Sequence, residues 1–272
     1  FLARSMPGNP LLIDIAETDP GKMMSPEDRK LAEKAYGLDK PWYLAYFEWL
    51  GRMAVLDMGH SFRYRRPVLS LILERMGPTL FLSVPSFVLT YGASIPLGLY
   101  ATRRSGRWDE RITSVVFYML YSIPVYVLAL WLLYLFYLQF SGTIWQLPPG
   151  ITSEGYDKLS PLGKALDLFK HLILPLFCYS YGSLAYDTRF IKANMEEAIR
   201  QDYIRTARAK GLDDRSILYR HAFRNTLIPF VTTIGMTLPG LITGAVILEQ
   251  IFNWPGIGKL YLDAVYGHDY TL

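Results

Sequence analysis

The chain is short of cysteine, short of histidine and, over three long stretches, empty of charge altogether. Its single cysteine, Cys178, lies in an apolar context and excludes any intrachain disulfide. The four histidines, His60, His171, His221 and His268, are far apart, and neither His-Glu-x-x-His nor Gly-x-Ser-x-Gly occurs. A phosphate-binding loop is missing too. The Gly-Lys pairs at 21–22, 163–164 and 258–259 lack both the upstream glycine and the following Ser or Thr. These absences argue against an enzyme, and no metal site, cofactor or ATP site of the chain's own is expected.

The missing charge is the most informative absence. Residues 76–102, 112–153 and 225–248 contain no Asp, Glu, Lys or Arg, and about 20 mostly apolar residues suffice to carry a helix across a bilayer core. A soluble domain could reach 51% hydrophobic and 19% charged residues; it would not segregate them this way. The expected fold is therefore an all-α polytopic membrane protein with four visible spans, at about 78–101, 112–140, 166–190 and 225–248. Prolines 85, 96, 124, 229 and 239 fall inside these spans and are tolerated where neighbours satisfy the freed carbonyls. The third span is the least apolar. Only 16 residues separate Lys170 from Asp187, so its end charges must snorkel.

Basic residues set the expected orientation. Arg103, Arg104, Arg107 and Arg111 crowd the loop 103–111, and nine Lys or Arg residues lie within 187–224. The intervening loop 141–169 offers only Lys158 and Lys164 before the span. Segments 103–111 and 191–224 are thus expected in the cytoplasm, with 11–75 and 141–165 outside. Long translocated segments escape the rule, which accommodates the charges before residue 75. Phe1-Leu2-Ala3-Arg4 reads as the tail of a preceding helix, so residues 1–10 are expected to close a span upstream, and another span is expected after Leu272.

In the outer segment, Ser25-Pro26-Glu27-Asp28 reads as an N-cap with proline at the first helical position and acids in the first turn. Leu31, Ala35 and Leu38 follow at helical spacing. Trp42, Tyr43, Tyr46, Phe47 and Trp49 suit an interfacial aromatic surface.

The loop 187–224 reads as a compact helix–turn–helix. Ile191, Met195, Ile199 and Tyr203 recur every four residues as one apolar stripe. Arg205, Arg208 and Lys210 fall in the last turn, where cations complement the helix dipole. Gly211 suits the left-handed residue that closes such a helix. Asp213 is the expected next N-cap, with Leu212 stapled on Ile217. Ordinary charged membrane flanks would give some of the same pattern.

The run Glu197-Ala198-Ile199-Arg200-Gln201-Asp202-Tyr203-Ile204-Arg205-Thr206-Ala207-Arg208-Ala209-Lys210-Gly211-Leu212 resembles the coupling loop of ABC-importer permeases of the oligopeptide/dipeptide branch. His221-Ala222-Phe223-Arg224-Asn225-Thr226-Leu227-Ile228-Pro229, Phe252-Asn253-Trp254-Pro255-Gly256-Ile257-Gly258-Lys259-Leu260 and Arg4-Ser5-Met6-Pro7-Gly8-Asn9-Pro10 also look like that branch. The general motif begins Glu-Ala-Ala and has glycine four residues after its second alanine; aligned on Gly211, this chain has Arg205-Thr206-Ala207 there, without the acidic residue.

The resemblance implies a type I ABC importer transmembrane domain over 76–272, preceded by an extracytoplasmic segment at 11–75. It implies a multi-pass protein of the bacterial inner membrane that forms the path for di- or oligopeptides. A homologous second permease, cytoplasmic ATP-binding subunits and an extracytoplasmic substrate-binding protein would be its partners. ATP hydrolysis would belong to those separate subunits. Glu197, Asp202, Arg205, Thr206, Ala207, Arg208, Ala209, Lys210, Gly211 and Leu212 would meet the ATPase. Trp254, Pro255 and Gly256 could shape an outer gate or docking surface, or simply form a turn anchored by an interfacial tryptophan. Glu249 reads as an acid solvated at the end of its span, with contact to substrate or to a second subunit as the alternative. Gly235, Gly240 and Gly244 suggest close helix contacts. The same machinery importing nickel or another small solute stays open, as does, more remotely, an ion-driven secondary transporter.

Overall fold

The computed structural model describes residues 41–61, 63–267, 269, 271 and 272. The helix tail expected at 1–10 and the amphipathic stretch at 25–38 lie outside the described residues. The chain divides into two compact units, one of residues 1–77 with 259–272 and one of residues 78–258.

Among the described residues the secondary structure is helical, apart from an isolated antiparallel bridge between His60 and Pro67. The helices are α1 (Trp42–Ala54), α2 (Val68–Arg103), α3 (Trp108–Ser122), α4 (Val125–Leu133), α5 (Pro161–Ile199), α6 (Asp202–Ala209), α7 (Asp214–Ser216), α8 (Phe223–Thr237), α9 (Gly240–Thr243), α10 (Val246–Ile251) and α11 (Ile257–Tyr266). Wider π turns continue α4 over Tyr134–Gln139 and join α7 to α8 over Ile217–Ala222.

Among the described residues two segments are long and apolar enough to cross a membrane, Val68–Arg103 and Asp214–Ile251 counted through its breaks. The second expected span is not one continuous helix. Its halves, Trp108–Ser122 and Val125–Gln139, meet at 90°. Ile123 is extended at φ −79°, ψ 121° and Pro124 follows at φ −59°, ψ 133°. A residue before proline is pushed out of the helical region, and proline has no N–H to continue the ladder.

The expected span 166–190 lies inside α5, which at 39 residues is long enough to cross. It is not among the segments apolar enough to do so, because Lys164, Asp167 and Lys170 near one end and Asp187, Arg189 and Lys192 near the other shorten its uncharged stretch. The helix starts cleanly. Ser160 Oγ accepts a hydrogen bond from the Gly163 N–H at 3.2 Å, and Pro161 takes the first position. The expected fourth span, 225–248, is divided among α8, α9 and α10. Gly244 stands at φ 72°, ψ 177° between the last two, a conformation open essentially to glycine alone.

Within the unit 78–258, a stripe of hydroxyls runs down α2. Thr79, Ser83, Ser86, Thr90 and Ser94 are all buried at helical spacing. Small hydroxyl residues let helices approach closely and hydrogen-bond across the contact; Ser83 Oγ donates to Leu241 O at 2.8 Å. The same unit holds two apolar cores. One gathers Leu99, Ile191, Met195, Ile204, Ile217 and Phe230. The other gathers Ala129, Leu132, Leu174, Cys178, Leu248 and Phe252.

Candidate functional site: a rigid elbow and a tyrosine-lined cavity

α5 ends at Ile199, and Gln201 at φ −71°, ψ 152° sets the chain on a new axis for α6. Ile191 and Met195 are wholly buried as their spacing requires. The break then shifts the phase by one residue. Ile204 and Ala207 point inward, while Tyr203, the expected fourth member of the stripe, is exposed.

The C-terminus of α6 closes as expected. Gly211 has φ 78°. The Gly211 N–H donates to Arg208 O at 2.9 Å and the Leu212 N–H to Ala207 O at 3.3 Å, the paired bonds of a Schellman motif. Asp213 then caps the next turn, accepting from the Ser216 N–H at 3.2 Å. Ile217 is buried, but Leu212 is 40% exposed, so only one side of the expected staple is interior. Apolar residues packed into one core and satisfied backbone at both turns make this elbow stiff.

Its outward residues are the ones singled out from sequence. Glu197, Asp202, Arg205, Thr206, Arg208, Ala209, Lys210, Gly211 and Leu212 are exposed, and Ala207 is buried beneath them. Arg205 pairs with Asp202 at 3.1 Å in full solvent, where such a pair contributes little. Arg208 lines a hollow of about 450 Å³ with Arg103, Asp214, Arg215 and Tyr219.

A polar clamp ties the elbow's approach to α3. Lys192 Nζ donates to Glu110 Oε1 at 2.6 Å, Ser114 Oγ to the same oxygen at 2.6 Å, and Ser105 Oγ to Glu196 Oε1 at 2.7 Å. Burial pushes the Glu110 carboxyl up, but the hydrogen bonds from Lys192 and Ser114 and the Lys192 charge outweigh it and hold it below its ordinary value. Lys192 is held above its ordinary value, its partial burial being outweighed by Glu110 and Glu196. Arg189 stacks over the Tyr118 ring at 3.6 Å.

Sequence reasoning missed a second feature. A cavity of about 440 Å³ lies between α2, α3, α5 and α8, lined by Tyr91, Tyr121, Tyr179, Tyr181, Tyr186 and Asp187 among others. Tyr91 Oη and Thr237 Oγ1 share a hydrogen bond at 3.0 Å, and Tyr181 Oη donates to Ile123 O at 2.6 Å. Asp187, taken from sequence as a snorkelling end charge, is 3% exposed. The available signal was Tyr179 and Tyr186, seven apart on one helix face, with an acid beside them.

Glu249 and Trp254 also depart from expectation. Glu249 is 1% exposed rather than solvated, accepting from Thr79 Oγ1 at 3.2 Å. The backbones of Gly244, Gly256 and Gly258 press so close to its carboxylate that a Cβ on any of them would collide with it or its surroundings. Trp254 is wholly buried. Its Nε1–H donates to Pro78 O at 2.8 Å, and its ring stacks on Phe81 at 6.1 Å. Its side chain offers no surface for docking and holds the turn to the start of the 78–103 stretch instead. Gly235 and Gly240, expected at close contacts, have open space around them.

Residues 94–272 match the family model described as binding-protein-dependent transport system inner membrane component. The chain belongs to this family. The permease is 36% identical over 273 residues to the oligopeptide transport system permease protein AppB of Bacillus subtilis (strain 168), covering 100% of this chain and 82% of that protein. It is 31% identical over 273 residues to the dipeptide transport system permease protein DppB of Lactococcus lactis subsp. cremoris (strain MG1363), with the same coverage. It is 29% identical over 267 residues to the glutathione transport system permease protein GsiC of Shigella flexneri serotype 5b (strain 8401), covering 96% of this chain and 81% of that protein. The family resemblance carried by residues 197–229 is thereby borne out. The permease is a multi-pass, all-α membrane protein and a transport subunit, not an enzyme.

Proposed function

We propose that the permease forms half of a path for di- or oligopeptides across the bacterial inner membrane, driven by ATP hydrolysed on separate subunits. The observation that carries the reading is the elbow at 202–217, with an apolar underside fixed in the membrane helices and a basic, exposed outer face. A stiff element of this kind can pass a displacement at its surface to the helices behind it. A flexible loop would absorb it.

In this reading a cytoplasmic ATPase subunit seats α6 and the Gly211 turn in a groove, with Arg208 and Lys210 as the basic contacts. Segments 103–111 and 191–224 are cytoplasmic, and 41–75 and 141–165 lie outside, following the distribution of Lys and Arg. A homologous permease completes the path, and an extracytoplasmic binding protein delivers cargo. The peptide reading is supported by the oligopeptide, dipeptide and glutathione systems named for the relatives.

Reconstitution in proteoliposomes with the second permease, the ATPase pair and the binding protein tests this directly. ATP-dependent accumulation of a labelled peptide is expected, and none without the ATPase. Accumulation driven by a proton gradient alone would overturn the mechanism. ATP-driven uptake of nickel but not of peptides would overturn the cargo.

A further inference from the structure

Asp187 is the one buried acid in the 78–258 unit that finds no counter-group. Glu110 has Lys192, and Glu249 has Thr79. Among the described residues Asp187 has neither a hydrogen bond nor an ion pair, yet it is 3% exposed and lines the 440 Å³ cavity. The basic residues nearest it in sequence are committed elsewhere, Arg189 to the Tyr118 ring and Lys192 to Glu110. A carboxylate at such depth is costly unless something positive or hydrogen-bonding meets it. Around it stand Tyr91, Tyr121, Tyr179 and Tyr186, rings whose faces attract cations. A second hollow of about 260 Å³ shares Tyr91, Tyr179, Ser183 and Thr237 with the first and adds Ser86 and Thr90 from the hydroxyl stripe of α2. The two together form a hydroxyl-rich passage with one acid in it, of a size that takes the end of a short peptide.

We infer that Asp187 is a cation-recognising group on the transport path, its carboxylate receiving the α-ammonium of a passing peptide while the tyrosine rings flank it. This rests on the peptide reading above and deepens it. The site has a single carboxylate, so it can hold the amino terminus in transit without trapping it. Cargo whose amino group is blocked loses the contact.

The test is uptake by the reconstituted complex, with binding protein in saturating amounts, of a tripeptide and its N-acetylated form. Asp187→Asn should lower uptake of the free-amino peptide about tenfold, the scale of a lost charge-assisted hydrogen bond, and leave the N-acetylated peptide unchanged. Asp187→Glu should restore most of the loss. Where the wild type carries only the free-amino peptide, the contrast between Asn and Glu decides. An equal fall for both peptides, no fall for either, or a Glu variant as impaired as Asn overturns the inference while the peptide reading stands. So does a basic residue of the second permease found paired with Asp187. A wild-type complex that carries neither peptide under ATP overturns the peptide reading, and this inference with it.

Discussion

Gly98 on α2 faces Ile191 on α5 so closely that a Cβ built on the glycine would lie 2.6 Å from Ile191 Cγ2 and 3.1 Å from Thr188 O. The two helix backbones therefore touch about two turns before α5 ends, and Ile191 belongs to the same core as Ile204 and Ile217. In the proposed coupling, a displacement of the elbow would reach α2 through this contact. Gly98→Ala should destabilise the permease by about 1–3 kcal/mol, the usual cost of overpacking. Pairing it with Ile191→Ala should recover part of the loss, because the second change vacates the space. Thermal denaturation of the wild type, the two single variants and the double variant measures the coupling; strictly additive losses would show that the two residues do not press on each other.

The Glu110–Lys192 clamp predicts a pH window. Glu110 is held below its ordinary value of 4.5, so its contribution is complete above that pH and fades as pH falls through the lowered folded value. Lys192 is held above 10.5, so its contribution is complete below that pH and fades as pH rises through the raised folded value. Glu110→Gln should therefore cost about 1.5–3 kcal/mol across the intervening range. The wild type and the variant should converge in acid, below the ordinary carboxylate range. Melting curves taken across pH check this, and a gap that persists undiminished in acid would assign the loss to packing instead.

Trp254 fixes the turn at 254–257 by two separable means, the bond from its Nε1 to Pro78 O and the stacking of its ring on Phe81. Trp254→Phe should cost about 1 kcal/mol, the value of one hydrogen bond, and Trp254→Ala about 3–5 kcal/mol. Both should reduce the yield of folded permease in the order of those costs. Size-exclusion profiles after heating report it, and a Phe variant as damaged as the Ala variant would make the hydrogen bond the dominant element.

The elbow's turns were legible because they are local. Gly211, Asp213 and the apolar spacing of Ile191 and Met195 specify their conformations within a few residues. The kink at Pro124 was visible as a residue but not as an angle; whether a proline bends a membrane helix or breaks it at 90° is set by what packs on either half. The shift from Tyr203 to Ile204 followed from a helix end at Arg200 with no Gly or Pro to mark it. Asp187 and Glu249 were misread because a charge near the end of an apolar run looks the same in sequence whether it faces water, a cavity or a cage of glycines. The hydroxyl stripe at 79, 83, 86, 90 and 94 has the helical spacing of an apolar face but is written in small polar residues, which carry no hydropathy signal.

Gly211 joins the elbow's geometry to its proposed role, and the two can be separated. At φ 78° an alanine costs about 1–2 kcal/mol, so Gly211→Ala should weaken uptake without abolishing it. Proline fixes φ near −65° and removes the N–H that bonds to Arg208 O at 2.9 Å, so Gly211→Pro should unwind the turn and stop uptake while leaving membrane insertion intact. Neither change alone distinguishes a deformed elbow from a lost contact. Arg208 and Lys210 do, because both are exposed and neither makes an ion pair or hydrogen-bonds through its side chain among the described residues. Replacing both by Glu should change stability by no more than about 0.5 kcal/mol. ATP-driven uptake should nevertheless fall at least about tenfold through like-charge repulsion or lost pairing at the ATPase surface. Retained stability with retained uptake would remove these two residues from the coupling contact and direct attention to Glu197 and Asp202 on the same exposed face.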